Sequence, residues 1–240
     1  LVIGEVIGQS TGSTLLSKQL MRNRSLLQEI KFKTIFWCLK RYKKFPVFNL
    51  PSHFLSTLGE KAPVIFFTFL FGPQVVGFYG LAYTIVRLPI SLIGKAVGNV
   101  FYAEAASLAK KDPKKLKNLS NKLIKNLILI GLIPMMRLLL IGPELFGLVF
   151  GDSWYESGEY ARILSIMLFF VLVVTPVSRV YEVFEKQKIR FYIDILRLIL
   201  VVSAFGFSFI FKTNPFGTLL LYSVALSFIN LLIYIFAQRI

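Results

Sequence analysis

The chain of 240 residues is short of the residue types on which much protein chemistry depends. Its single cysteine, Cys38, cannot form an internal disulfide, and its single histidine, His53, cannot supply a histidine metal cluster or a histidine proton relay. No Walker sequence occurs, which argues against an ATP-driven motor within this chain. We therefore expect no metal, no cofactor and no redox chemistry.

Acidic residues are also scarce, with 12 Asp and Glu against 28 Lys and Arg and a formal net charge of +16. The basic residues cluster in short loops between apolar runs, so this charge does not indicate a nucleic-acid partner. Apolar residues make up 55% of the chain, and the mean hydropathy is +0.68. This composition predicts an all-α, polytopic transmembrane helix bundle.

Seven stretches have a length and composition suited to crossing the bilayer. They are Leu1–Ser17, Leu50–Phe71, Val75–Phe101, Leu123–Ile141, Ala161–Val183, Phe191–Phe211 and Gly217–Ala237. The sequence opens at Leu1 inside an apolar run, with no basic region or cleavage site before it. We therefore interpret the first stretch as cut short and the chain as a fragment of a longer one.

The basic residues occupy alternate loops. Nine lie in Lys18–Lys44, seven in Lys110–Lys125 and three in Lys186–Arg190, while the intervening loops are almost empty of them. The positive-inside rule places these three loops in the cytoplasm, together with the C-terminus at Arg239. The first of them mixes apolar and basic side chains, which is compatible either with a helix lying on the anionic inner leaflet or with a solvated linker.

A second set of basic residues lies within the predicted spans, where charge is costly. Its members are Lys61, Arg87, Lys95, Arg137, Arg162, Arg179 and Arg197. The last three lie closer to helix ends, where their side chains are expected to reach the membrane interface. Three unpaired cations at mid-depth that faced lipid would cost about 8–10 kcal/mol. We therefore expect Lys61, Arg87 and Arg137 to face a bundle interior or water.

Two hypotheses account for these mid-membrane cations. They either pair with acidic residues on the missing half of the longer chain or extend outward to the membrane interface, or they line an anion-binding cavity. Guanidinium and ammonium groups are suited to phosphate in such a cavity. Arg87, next to Pro89, is the leading candidate for such a site, with Lys61, Lys95 and Arg137 after it. Internal prolines also predict kinked helices, which are common around transporter cavities. These prolines are Pro63, Pro89, Pro134 and Pro176.

Several motifs resemble the polysaccharide flippases of the multidrug/oligosaccharidyl-lipid/polysaccharide exporter superfamily. The most specific is Arg87-Leu88-Pro89-Ile90-Ser91-Leu92-Ile93-Gly94 followed by Val100-Phe101-Tyr102-Ala103-Glu104-Ala105-Ala106. Further similarity lies in Phe45-Pro46-Val47-Phe48, Phe71-Gly72-Pro73, Val76-Gly77-Phe78-Tyr79, Val149-Phe150-Gly151-Asp152-Ser153-Trp154 and Gly158-Glu159-Tyr160-Ala161-Arg162-Ile163-Leu164.

The resemblance implies two six-helix lobes that face a central cavity. Residues 1–17 would then be the last helix of the N-terminal lobe, residues 18–49 the cytoplasmic connection, and residues 50–240 the C-terminal lobe. The implied function is transfer of an undecaprenyl-pyrophosphate-linked oligosaccharide from the inner to the outer leaflet of the bacterial cytoplasmic membrane. Such transfer serves the synthesis of O-antigen lipopolysaccharide, capsule or exopolysaccharide, with a polysaccharide polymerase as a further partner.

Two rival functions make different demands on the sequence. A multidrug or cation antiporter of the same superfamily should carry acidic residues in its cavity, and only Glu60 clearly qualifies. A membrane-embedded glycan polymerase or acyltransferase would need a convergent acid–base pair or a histidine-based centre, and neither is visible. We therefore expect a transporter and not an enzyme.

Overall fold

The structure is a computed structural model, and it describes Thr14 and residues 32–43, 45–109 and 111–238. The chain divides into two compact units, Leu1–Val47 and Phe48–Ile240. The first predicted span, apart from Thr14, and the C-terminal Arg239 lie outside the described residues. All secondary structure in the described residues is helical, which confirms the predicted fold class.

In the first unit, the described helix is α1, Phe32–Arg41. Its apolar side chains recur at the spacing that lines one helix face, and its basic side chains lie on another face. The apolar face carries Phe32, Ile35, Phe36 and Leu39, all exposed in this unit. The structure therefore shows an amphipathic helix within the basic stretch, and its location on the inner leaflet stays a prediction.

The described residues of the second unit form seven further α-helices. They are α2 (Leu50–Phe71), α3 (Pro73–Leu108), α4 (Pro113–Phe150), α5 (Tyr155–Val177), the short α6 (Val180–Val183), α7 (Gln187–Phe211) and α8 (Pro215–Gln238). A π-helical turn, Phe45–Asn49, precedes α2, and a 3₁₀ turn, Asp152–Trp154, precedes α5. Six helical segments of the described chain are long and apolar enough to span a membrane. They coincide with the six predicted spans that follow Leu1–Ser17.

The two longest helices extend well beyond the predicted spans. At 1.5 Å per residue, the 38 residues of α4 measure about 57 Å, roughly twice the hydrocarbon thickness of a bilayer. Local signals set where α4 begins and ends. Asp112 caps its first turn by accepting the Lys115 backbone N–H at 2.9 Å, Pro113 takes the first helical position, and Gly151 ends the helix at φ 96°.

Five helices form a closed ring in which each packs against its two neighbours, in the order α2, α3, α5, α8, α7 and back to α2. The sixth long helix, α4, packs against the outside of α5. The core is built mainly on α5, whose Tyr160, Leu164 and Leu168 are fully buried. This arrangement leaves an interior space bounded by five helices.

Two helix backbones approach closely where α4 meets α5. Gly142 and Gly158 face each other there, with no side chain between the two backbones. The α4 backbone departs from helical geometry at Ile141 (φ −127°, ψ 22°), two residues before Pro143. At Pro134 the backbone keeps helical φ and ψ angles. The interruption falls at a proline beyond the predicted end of this span.

Candidate anion-binding cavity

The ring encloses a cavity of about 230 Å³ that receives side chains from all five of its helices or their ends. Five of the lining residues are basic, and they are Arg87, Lys95, Arg179, Arg190 and Arg197. Glu60 is the one carboxylate among the lining residues that the structure describes. The charged side chains that line this space are thus predominantly basic.

Arg87 lines this cavity and has two polar partners. One terminal nitrogen, Nη2, donates to Glu60 Oε2 on α2 at 2.7 Å, and Nη1 donates to the hydroxyl of Tyr83 one helical turn earlier. The guanidinium also lies over the Tyr83 ring, 5.2 Å from its centroid. The pair stays accessible, since the Arg87 and Glu60 side chains keep 34% and 38% of their surface exposed.

A second group of charges joins α7 to α2. The carboxylate of Asp194 is 1% exposed and lies 3.2 Å from both Arg190 and Arg197. It also accepts a hydrogen bond from the Ser52 hydroxyl, while Arg197 donates to Ser56 Oγ at 2.6 Å. Arg197 is therefore buried and paired, which corrects the expectation that its side chain reaches the membrane interface.

Arg179 and Arg190 lie at one end of the ring, where α2 and α7 begin and α5 ends. Arg179 pairs with Glu182 at 3.1 Å, and both Arg179 and Arg190 also line an adjoining polar cavity of about 230 Å³. That adjoining cavity includes the exposed His53. The basic loops of the sequence predict that this end faces the cytoplasm.

The structure brings together three of the four cations proposed from the sequence. Arg87 and Lys95 line the ring cavity, and Lys61 lines a neighbouring space of about 330 Å³ that shares Glu60 and Arg87 with it. Arg137 does not line this cavity, because it lies on α4 outside the ring, where its side chain is exposed. The expectation that Arg137 faces the bundle interior is not met within this unit.

Sequence reasoning did not place Arg179 or Arg190 at the site. Both were assigned to helix ends and loops, where basic residues usually serve topology. One local signal was available, because Arg190 precedes Asp194 by four residues and such a spacing allows an ion pair on one helix face. Their approach to Arg87 depends on ring closure, which no local pattern predicts.

The family of the chain follows from comparison with known proteins. A family model described as "Polysaccharide biosynthesis protein" matches residues 1–159. The chain belongs to this family. This match agrees with the resemblance that the sequence motifs indicate. The matched range contains Glu60, Arg87 and Lys95 but ends before Arg179. Together with the six apolar helices, it shows a multi-pass membrane protein of polysaccharide biosynthesis.

One curated relative carries a more specific name. The chain is 25% identical over 156 residues to the teichuronic acid biosynthesis protein TuaB of Bacillus subtilis (strain 168). The alignment covers 65% of this chain and 32% of TuaB, so the chain spans about a third of the length of that relative. No solved structure matches the chain significantly.

Proposed function

We propose that the protein is a flippase that moves a pyrophosphate-linked oligosaccharide on a polyprenyl carrier from the inner to the outer leaflet of the bacterial cytoplasmic membrane. The observation that carries the proposal is the charge of the ring cavity, with five cations and one carboxylate among its described lining residues. Charges at this depth are costly unless they serve a ligand or a pathway. The family match supports a polysaccharide as the attached glycan.

The chemistry of the lining favours an anionic headgroup. Guanidinium groups bind phosphate oxygens through short, charge-assisted hydrogen bonds, and an ammonium group adds a compact charge. Arg87 and Lys95 supply one of each within the same cavity. A multidrug antiporter that carries organic cations would require the opposite balance of charge, so the cavity argues against that alternative.

The proposed direction of transport follows from the predicted topology. The cationic end with Arg179 and Arg190 is the end predicted to face the cytoplasm, where the lipid-linked substrate is made. An inside-negative potential favours outward movement of each negative charge by about 2.3 kcal/mol per 100 mV. The glycan would occupy the aqueous cavity while the polyprenyl tail stays in the bilayer.

Alternating access requires a second lobe, and we propose that residues 50–240 form the C-terminal lobe of a two-lobe transporter. Residues 1–17 would end the N-terminal lobe, and residues 18–49 would connect the two on the cytoplasmic side. Transport would then consist of one lobe rocking against the other around the bound headgroup. The length of TuaB, about three times the aligned segment, is compatible with this organisation.

The test is leaflet-specific labelling of a lipid-linked oligosaccharide in vesicles that contain the full-length protein. Arg87→Gln removes a central cation and should slow transfer by about tenfold to hundredfold, because a charged hydrogen bond is worth about 1.5–3 kcal/mol. Arg137→Gln removes an arginine from α4, outside the cavity, and should leave transfer within about twofold of wild type. Equal transfer by both variants, at normal abundance, would refute the assignment of the cavity.

The same vesicles distinguish transport from synthesis. Unchanged sidedness of the lipid-linked oligosaccharide with the wild-type protein would contradict the flippase proposal. Lengthening of the glycan in those vesicles would instead identify a polymerase.

A further inference from the structure

We propose that Glu60 is a built-in counter-ion that competes with the anionic headgroup for Arg87 and thereby sets how tightly the cavity holds its substrate. This inference rests on the proposed function, because it assumes that the ring cavity binds an anion. It makes Glu60 a residue that determines specificity and promotes release of the ligand. The charge of Glu60 is opposite to that of the other charged lining residues.

The first support is that the Arg87 guanidinium already has two hydrogen-bond partners. Phosphate is held most strongly when two N–H groups of the guanidinium fork face two of its oxygens. In the structure, Nη2 of Arg87 is taken by Glu60 and Nη1 by the Tyr83 hydroxyl. Each of these nitrogens keeps one further N–H, so a phosphate at Arg87 would share the guanidinium with Glu60 and compete with that carboxylate for its positive charge.

The second support is that the Arg87–Glu60 pair is accessible, whereas Asp194, the partner of Arg190 and Arg197, is buried. The Arg179–Glu182 pair is as accessible, but Glu182 does not line the ring cavity. Glu60 keeps 38% of its side-chain surface exposed and lines both the ring cavity and the neighbouring space. By contrast, Asp194 is 1% exposed and is also hydrogen-bonded to Ser52, so removing it from its arginines would break a buried cluster.

The third support is the demand that transport makes on affinity. A transported ligand must bind well enough to enter its site and weakly enough to leave it. With the headgroup bound, Glu60 and the phosphate would lie on the same guanidinium and repel each other, which favours release. With the cavity empty, Glu60 neutralises the charge of Arg87 in a pair that stays partly exposed.

The experiment is a double-mutant cycle in which the affinity of the purified full-length protein for inorganic pyrophosphate is measured by calorimetry. Glu60→Gln keeps the size of the side chain and removes its charge, and it should tighten binding by about fivefold to tenfold. In an Arg87→Gln background, the same change should alter affinity by less than about twofold, because the competition has been removed.

Glu159→Gln is a matched control. Glu159 pairs with Arg162 at 3.1 Å, and the two side chains are 33% and 34% exposed, close to the values for Arg87 and Glu60. Glu159 does not line the ring cavity. Its replacement removes the same charge from a comparable pair and should leave pyrophosphate affinity unchanged. A melting curve for each variant reports on folding, and Glu60→Ala serves as a second variant if the Gln form does not fold.

The outcomes separate this inference from the proposed function. If wild-type protein binds pyrophosphate and Arg87→Gln weakens binding, but Glu60→Gln does not tighten it, the role of Glu60 is overturned and the anion cavity stands. If Glu60→Gln tightens binding equally with and without Arg87, Glu60 acts as a distant charge and the competition is refuted. If no form binds pyrophosphate, the proposed function fails and the inference fails with it.

A kinetic readout gives a further check. In the vesicle assay, Glu60→Gln should lower the half-saturating substrate concentration and also lower the maximal rate, because a more tightly held headgroup leaves more slowly. A variant with a higher maximal rate at normal abundance would contradict a role for Glu60 in release.

Discussion

Gly158 is the position at which a single added methyl group tests the packing of α4 on α5. An ideal Cβ built on Gly158 would lie 2.3 Å from the Cα of Pro143 and 2.6 Å from the carbonyl oxygen of Gly142. Both atoms belong to the α4 backbone, so no side chain can rotate away to relieve the contact. Ordinary carbon contacts need about 3.5–4.0 Å, and Gly158→Ala would therefore push the helices apart by roughly 1.2–1.7 Å.

The cost of this displacement follows from two opposing effects. Overpacking a close contact costs about 1–3 kcal/mol. A clash between the new methyl group and the α4 backbone belongs at the upper end of that range. Alanine in place of glycine within a helix recovers about 1 kcal/mol through its higher helix propensity. The expected net destabilisation is about 2 kcal/mol, or about 4–8 °C in melting temperature for a domain of this size.

The assay is thermal unfolding of the purified protein, with Gly206→Ala as the matched control. Gly206 is also inside a helix, α7, but has no neighbouring atom within 4 Å of an added Cβ. It should therefore show only the gain in helix propensity and melt at or slightly above the wild-type temperature. If Gly158→Ala melts as high as Gly206→Ala, the close α4–α5 contact is wrong.

Three further predictions concern the buried charges and the membrane topology. Asp194→Asn should destabilise the protein by about 3–5 kcal/mol, because it leaves Arg197 buried without its charged partner. Adding Arg197→Met to this variant should restore much of the lost stability in a melting experiment. The native Cys38 should react with an impermeant maleimide only from the cytoplasmic side. Ser153→Cys in a Cys38→Ser background should react only from the opposite side. The reverse pattern of labelling would invert the predicted topology. A spin label at Phe36 of α1, in the same background, should be shielded from a water-soluble relaxation agent in vesicles with anionic lipid, and full water access would favour a solvated linker.

The sequence predicts the spans well because hydropathy is a local property. The predicted Leu50–Phe71 matches α2, and the predicted Phe191–Phe211 shares its last residue with α7. The lengths of α3 and α4 were underestimated, since their polar ends continue as helix beyond the apolar stretch. Hydropathy detects where a helix is apolar, whereas capping and proline positions decide where it begins and ends.

The candidate site could be predicted only in part. That Arg87 needs a partner or a polar space follows from its depth in an apolar segment. Its partner, Glu60, lies 27 residues earlier on another helix, and the sequence suggested no pairing between them. Arg137 has a similar sequence context, yet it lies outside the ring. Which helices close the ring is a property of tertiary packing, and no local pattern separates these two arginines.

Under the proposed function, the Asp194 cluster and the Arg87–Glu60 pair would serve stability and binding respectively. The Asp194 cluster is buried and ties α7 to α2 through Ser52 and Ser56, so its loss should mainly lower the melting temperature. The Arg87–Glu60 pair is half-exposed, and such pairs contribute only about 0–1 kcal/mol to stability. Changes at Glu60 should therefore alter anion affinity at nearly constant stability, whereas changes at Asp194 should alter stability first. In the proposed flippase, the buried cluster would keep the cavity assembled while the exposed pair exchanges with the ligand.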